Sequence, residues 1–125
     1  MNKAIYTEKI GSNVFIADFA VIYQNVQIGD NVSVGEHVVL GRNPKPTTAV
    51  VRNMRNAGET VIGSGVSICA NAIIYASVFI GENSLLGDNV SVLTDVKIGE
   101  NVLISRNVTI NSNVVIGDNT RIMDN

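Results

Sequence analysis

The chain has 125 residues, about the size of one domain, and it combines 46% hydrophobic residues with only 5% aromatic residues and no Trp. Its formal net charge of −2 gives no reason to expect binding to nucleic acid or to an anionic membrane. The single Cys69 excludes an internal disulfide. Because the sequence has no basic-then-apolar leader and no apolar run of bilayer length, we expect a cytoplasmic protein with no membrane insertion.

After a lead-in segment at residues 1–9, an aliphatic residue recurs at every sixth position in two blocks. The first block comprises Ile10, Ile16, Ile22, Ile28, Val34 and Leu40. The second block comprises Ile62, Ile68, Ile74, Ile80, Leu86, Val92, Ile98, Ile104, Ile110, Ile116 and Ile122. A fixed short period is the signature of an internal repeat, so residues 10–125 are predicted to form one repeat domain.

The six-residue period predicts short strands rather than helices, because a helix would place apolar residues three and four apart. The fourth and fifth residues after each aliphatic position, together with the next aliphatic position, fit a three-residue strand whose outer two side chains point inward. The fourth residue is usually small or β-branched, as at Val26, Ala72 and Val90. We therefore predict an all-β fold, a parallel β solenoid with an aliphatic core.

Gly and Asn hold fixed places in the predicted turns. Gly usually follows the aliphatic position directly, where we expect its tolerance of unusual backbone angles to be used. Asn usually stands two residues after that Gly, at a place suited to a positive φ. The Asn residues at this place are Asn13, Asn25, Asn31, Asn71, Asn83, Asn89, Asn101, Asn107, Asn113 and Asn119.

A repeat of an aliphatic residue, Gly, two variable residues and a small residue resembles the hexapeptide-repeat family, and within it the bacterial sugar O-/N-acetyltransferases. The resemblance covers residues 10–125 apart from one interruption. It implies a left-handed parallel β-helix with three hexapeptides per coil, which is an exception to the right-handed crossover rule. On this basis nearly six coils are expected, beginning at Ile10, Ile28, Ile62, Ile80, Ile98 and, for a partial coil, Ile116.

The interruption falls between Leu40 and Ile62 and adds 16 residues to the expected spacing. It lies at about residues 43–61 and contains both prolines, so we predict a loop extruded from a corner of the solenoid. Residues 42–61 have a net charge of +3, whereas the rest of the chain sums to −5. The basic residues of this segment are Arg42, Lys45, Arg52 and Arg55.

The resemblance implies an acyltransferase that uses acetyl-CoA or acyl carrier protein, assembles as a homotrimer and places its active sites between subunits. A His in this family commonly acts as general base on the acceptor amine or hydroxyl. The single His of this chain, His37, is therefore the candidate base, although it also fits a turn position that Asn usually fills. Asn71 has the same turn position one coil later and is a candidate for orienting His37 or the substrate.

The four basic residues of the interruption are candidates for binding the phosphates of CoA or of a nucleotide-linked sugar. The alternative is that they are charged residues of an ordinary solvated loop. Tyr75 falls at the same predicted corner as Tyr23, where it either lines a cleft or packs beside the loop. Cys69 has no sequence neighbour that would lower its pKa, so we predict a structural role for it.

Outward positions on a solvated solenoid are expected to be polar, but Val21, Val39 and Ile73 are apolar in three successive coils. The predicted assignment of the hexapeptides to the three faces of the solenoid places all three residues on the same face. Exposed apolar stripes usually mark interfaces, so this stripe supports the homotrimer.

The predicted function is acetyl transfer from acetyl-CoA to an amino or hydroxyl group of a sugar or sugar nucleotide, with no metal. A zinc carbonic anhydrase branch of the family needs three His residues, and this chain has one. The alternative is a non-catalytic assembly module or a relative that has lost its chemistry. The single His and the end of the chain inside a hexapeptide favour that alternative, and the second feature also predicts a short or truncated family member.

Overall fold

A computed structural model describes residues 2–45, 48–49 and 58–123, and within these ranges all regular structure is β. The strands in chain order are β1 (Ala4–Ile5), β2 (Phe15–Ile16), β3 (Val21–Ile22), β4 (Val26–Ile28), β5 (Ser33–Val34), β6 (Val39–Arg42), β7 (Thr60–Ile62), β8 (Ser67–Ile68), β9 (Ile73–Tyr75), β10 (Val78–Ile80), β11 (Leu85–Leu86), β12 (Ser91–Val92), β13 (Val96–Ile98), β14 (Leu103–Ile104), β15 (Thr109–Ile110), β16 (Val115–Ile116) and β17 (Arg121–Ile122).

These strands form three parallel sheets that the chain visits in turn. Sheet A has the order β1-β3-β6-β9-β12-β15, sheet B the order β16-β13-β10-β7-β4, and sheet C the order β17-β14-β11-β8-β5-β2. Since the chain passes from sheet A to B to C and back to A, it winds as a triangular parallel β solenoid of about six coils. This is the left-handed parallel β-helix that the sequence predicted. We call the three edges corner AB, corner BC and corner CA, after the sheets that they join.

Paired residues in neighbouring coils are 18 positions apart, as in Ile80 and Ile98. Across the insertion the pairs are 34 positions apart, as in Val34 and Ile68. The chain leaves the solenoid at corner AB after β6 and re-enters it at β7. Thr60 and Val61 pair with Val26 and Gln27 of β4, so the insertion is bounded by β6 on one side and β7 on the other.

The core is a stack of aliphatic layers from all three sheets. Every register position from Ile22 to Ile104 is at most 2% exposed. Burial of each such side chain stabilises the fold by about 1.5–3 kcal/mol. Many aliphatic layers of this kind provide the core of a chain that has no Trp. The lead-in segment also belongs to the solenoid, since Ala4 and Ile5 pair with Val21 and Ile22.

Two details of the repeat differ from the prediction. Strands of three residues, with a buried–exposed–buried pattern, occur in sheet B at Val26–Ile28, Val78–Ile80 and Val96–Ile98, whereas most strands of sheets A and C have two residues. The Gly residues that follow the aliphatic positions do not have positive φ, except Gly41. Most of them stand where the backbone of the next coil passes too close for a side chain.

No helix in the described part of the chain is long and apolar enough to cross a membrane.

Candidate active site

His37 lies at corner CA, in the turn between β5 and β6. Its φ is 61° and its side chain is exposed. The residues at the same place in other coils are Phe19, Asn71, Asn89 and Asn107, and all of them also have positive φ. His37 therefore fills a left-handed turn position, as the sequence predicted, and presents its imidazole at an outer edge of the molecule.

The His37 imidazole stacks on the ring of Phe19, which stands one coil earlier. The ring centroids are 5.2 Å apart and the ring planes differ by 10°. This geometry is within the range of offset-stacked aromatic pairs. Sequence reasoning did not single out Phe19, but one signal was available, because Phe stands there at a turn position that Asn occupies in most coils.

Asn71 lies in the coil that follows His37 at the same corner, and its backbone N–H donates to the carbonyl oxygen of Glu36 at 2.9 Å. The prediction that His37 and Asn71 share a turn position is thus confirmed. Cys69 lies in the turn that contains Asn71, where partial burial and, secondarily, the negative charge of Asp88 raise the pKa of its thiol. A raised pKa reduces the thiolate fraction, which agrees with a structural role.

Arg42 and Tyr75 lie together at corner AB, where Arg42 of β6 pairs with Tyr75 of β9. The register shifts by one residue between Leu40 and Arg42, and Gly41 takes a φ of 85° in this bulge. Only Gly accommodates such an angle there without strain, and a Cβ at Gly41 would also lie 2.5 Å from Val26. The bulge therefore turns the chain out of sheet A at the start of the insertion.

Aromatic residues continue along corner AB beside Arg42. Tyr23 and Tyr6 stack on one another with ring centroids 6.3 Å apart. Tyr23 and Tyr75 lie at the same corner, as the sequence predicted, and they are two coils apart because β6 stands between β3 and β9 in sheet A. Lys45 is exposed on the first part of the insertion, whereas Arg52 and Arg55 lie outside the described residues.

The returning end of the insertion is held at the same corner. The carbonyl oxygen of Gly58 accepts hydrogen bonds from Asn25 Nδ2 at 3.3 Å and from the Ser77 N–H at 3.1 Å. Thr60 is fully buried, and its Oγ1 donates to the Tyr75 carbonyl at 2.7 Å. These bonds replace the turn that other coils form here, so the insertion is anchored at both ends to one edge of the solenoid.

The predicted site residues therefore fall into two groups at opposite edges of sheet A. His37 and Asn71 precede β6 and β9, whereas Arg42 and Tyr75 end those strands. Five residues of extended chain separate His37 from Arg42, which corresponds to about 16 Å. The fold of a single chain does not bring the two groups together. The outward side chains between them are Val21, Val39 and Ile73, which are paired in register and half-buried.

A separate shallow depression lies on the outer face of sheet B and has a volume of about 330 Å³. Its lining includes Val61, Phe79 and Val115, and the Lys97 ammonium lies 6.0 Å from the centroid of the Phe79 ring. None of the predicted site residues lines it. We therefore take the edges of sheet A, and not this depression, as the candidate site.

The sequence model of the family described as bacterial transferase hexapeptide (six repeats) matches residues 9–42, 77–112 and 95–125, which together make up more than half of the chain. These matches flank the insertion on both sides. No curated protein sequence gives a significant match.

Among solved structures, the chain is similar to the acetyltransferase domain of PglB from Neisseria gonorrhoeae FA1090 in complex with acetyl coenzyme A. The TM-score is 0.50 and the identity 14%, over 94% of this chain and 52% of that chain. It is also similar to UDP-N-acetylglucosamine acyltransferase from Campylobacter jejuni, with a TM-score of 0.37 and 16% identity over 92% of this chain and 68% of that one. The chain thus spans about half the length of the first of these structures, and at 14% identity the likeness to that structure shows the fold alone.

Proposed function

Because the chain belongs to the bacterial transferase hexapeptide family, we propose that it is an acetyltransferase that uses acetyl-CoA. The acceptor is an amino or hydroxyl group of a sugar or sugar nucleotide. The observation that carries the proposal is the family match on both sides of the insertion. The chain has one His, and this His37 is exposed at an edge of the solenoid.

In the proposed reaction the neutral His37 imidazole takes the proton of the acceptor amine or hydroxyl as its nitrogen or oxygen attacks the thioester carbonyl carbon. The carbon–sulfur bond then breaks, and the CoA thiolate leaves and is protonated. The products are the acetylated acceptor and free CoA. Asn71 stands one coil from His37 and supports this chemistry by orienting the imidazole or the acceptor.

Arg42 and Lys45 are proposed to bind the phosphates of CoA, together with Arg52 and Arg55 of the insertion. A guanidinium or ammonium group forms charge-assisted hydrogen bonds with phosphate oxygens. Since the His37 edge and the Arg42 edge of one chain lie about 16 Å apart, we propose that each complete site combines the His37 edge of one subunit with the Arg42 edge of its neighbour. A homotrimer that packs through the apolar face of sheet A would provide this arrangement.

A second candidate function is that of a non-catalytic assembly module. The observation in its favour is that His37 needs no catalytic explanation, because Asn71 and Asn89 occupy the same left-handed position in the next coils. The absence of CoA release from acetyl-CoA with a broad panel of amino sugars and sugar nucleotides would support this candidate over the acetyltransferase.

The substitution His37→Asn tests the base directly. Asn fits the turn position, so the fold is expected to stay intact, whereas loss of a general base lowers kcat by roughly 10²–10⁴-fold. The measurement is thiol release from acetyl-CoA under saturating acceptor, with thermal unfolding as a check on the fold.

The matched control is Asn107→Ala, at the same corner two coils beyond Asn71. It removes a turn residue without touching the candidate site, so it should lower stability and leave kcat unchanged. Wild-type turnover by the His37→Asn variant would show that His37 is not the base.

A further inference from the structure

Phe19 has a backbone conformation that its side chain makes unfavourable. Its φ is 66°. The other described non-glycine residues with positive φ are Asn, Asp, Ser and His. Asn and Asp tolerate this region, whereas a bulky aromatic residue there is an outlier. Strained residues of this kind persist where the surroundings hold them, and they are concentrated at functional sites.

The hydrophobic core does not account for Phe19. Phe19 is 54% exposed and lies at a corner rather than on an inward strand position. An Asn there would relieve the backbone, as it does at Asn71 and Asn89 of the same corner. Burial of apolar area therefore gives no reason for a Phe in this turn.

The ring contact of Phe19 is with His37. Corner residues of neighbouring coils lie one above the other at about the strand spacing of 4.8 Å, and the measured centroid separation of 5.2 Å fits such a stack. The second side-chain torsion of an exposed His is broad and roughly two-fold. A flat ring at 10° to the imidazole restricts that torsion, because rotation would break the face-to-face contact.

We propose that Phe19 is the positioning residue of His37, holding the imidazole plane so that its edge nitrogens face outward to the acceptor; this inference rests on the proposed function. Stacking uses the face of the imidazole and leaves both ring nitrogens at its rim. A rotating imidazole would spend part of its time with these nitrogens turned away from the acceptor. Proton transfer needs a fixed distance and direction, so this restriction raises kcat rather than substrate affinity.

The test compares Phe19→Leu, Phe19→Asn and Phe19→Tyr. Leu is apolar without being flat, Asn suits the turn but cannot stack, and Tyr keeps the stacking ring. The matched control is Phe15→Leu, which removes an exposed Phe on sheet C, away from His37. We expect Phe19→Leu and Phe19→Asn to lower kcat about tenfold with KM for acetyl-CoA changed less than about twofold, and Phe19→Tyr and Phe15→Leu to match the wild type.

A readout that does not depend on activity is the NMR signal of the imidazole, which is unambiguous because the chain has one His. Ring-current shielding by Phe19 should be lost in the Leu and Asn variants and kept in Phe19→Tyr and Phe15→Leu. Thermal unfolding of Phe19→Asn should occur at or above the wild-type temperature, which excludes misfolding as the cause of lower activity.

The outcomes separate this inference from the proposed function. Wild-type kcat in His37→Asn overturns the role of His37 and this inference with it. If His37→Asn is inactive but Phe19→Leu and Phe19→Asn keep wild-type kcat, only the role of Phe19 is overturned. Unchanged imidazole signals in those two variants also overturn it. In the His37→Asn background, Phe19→Leu should have no further effect on kcat, because the two residues act as one unit.

Discussion

Nine of the thirteen non-glycine residues with positive φ in the described chain are Asn. The Asn side chain tolerates the left-handed region, so each of these residues closes a turn at little cost. Asn25 was predicted to belong to this set and does not have positive φ. It lies where the insertion returns, and its carbonyl oxygen accepts a hydrogen bond from the Thr60 N–H at 3.0 Å. A long-range contact has replaced the local turn rule at that position.

Glycine has a different role in these turns from the one that the sequence indicated. The expected reason was freedom in φ, but the structural reason at most positions is the close approach of the next coil. A Cβ added at Gly81 would lie 2.5 Å from the carbonyl carbon and oxygen of Gly99. The sequence pattern correctly indicated that Gly is needed at these positions, but for the wrong reason. A local pattern contains no information on the distance to the next coil.

The Gly81→Ala substitution should therefore destabilise the protein. The neighbouring atoms are backbone and cannot move aside easily, so a loss of about 1–3 kcal/mol in the free energy of unfolding is expected, as for overpacking in a core. Gly117→Ala is the matched control, since a Cβ there meets no described atom within 4 Å. Chemical denaturation measures both. Equal stability of the two variants would contradict the close-approach explanation.

At the scale of the strands, the outer face of sheet A has an apolar stripe over three successive coils, which is followed by Ser91 and Thr109 in the next two coils. The stripe residues Val21, Val39 and Ile73 are half-buried within one chain. On sheet B the apolar outward positions Val61 and Phe79 are flanked by exposed Gln27 and Lys97. Strand pairing aligns the three apolar side chains in adjacent coils, as the predicted assignment to faces required. This alignment is the structural basis for proposing sheet A as the face between subunits.

The Val39→Asp substitution tests that face. In the proposed homotrimer each subunit would bury a carboxylate without a partner, which costs several kcal/mol, so the variant should sediment as a monomer. Its fold should be retained because Val39 points out of the core. The control is Gln27→Asp on the exposed face of sheet B, which should sediment as the wild type. Trimeric Val39→Asp, or a monomeric wild type, would contradict the proposed interface.

At the scale of the whole molecule, the coils bring together residues that are 18 or 34 positions apart and separate residues that are close in sequence. His37 and Asn71 lie in adjacent coils at one edge, whereas His37 and Arg42, only five residues apart, lie at different edges. The winding of the chain thus divides the candidate site in two. This division is the reason for proposing that a neighbouring subunit completes the site.

Mixed assemblies test the shared site. His37→Asn and Arg42→Ala chains, each weakly active alone at low acetyl-CoA, are unfolded together and refolded. If each site takes His37 from one subunit and Arg42 from the next, random trimers contain an intact combination in about a quarter of their sites. Activity near that fraction of the wild type is therefore expected.

Two controls accompany this experiment. Mixing the chains after separate refolding should restore less activity than refolding them together, if subunits exchange slowly. Chains that carry both substitutions, refolded with wild-type chains, establish the background. Mixed assemblies with no more activity than the average of the two single variants would show that His37 and Arg42 do not meet across subunits.

The sequence by itself determined the strands, the inward side chains and the place of the insertion, because a six-residue period and side-chain alternation are local properties of the backbone. It also identified His37 and Asn71 as equivalent turn residues. The tertiary structure alone decided why Gly81 must be Gly, how the insertion is anchored through Gly58 and Thr60, and that Phe19 stacks on His37. The physical reason is that each of these features depends on distances between atoms in different coils. The repeat brings neighbouring coils together, but the local sequence pattern does not specify these distances.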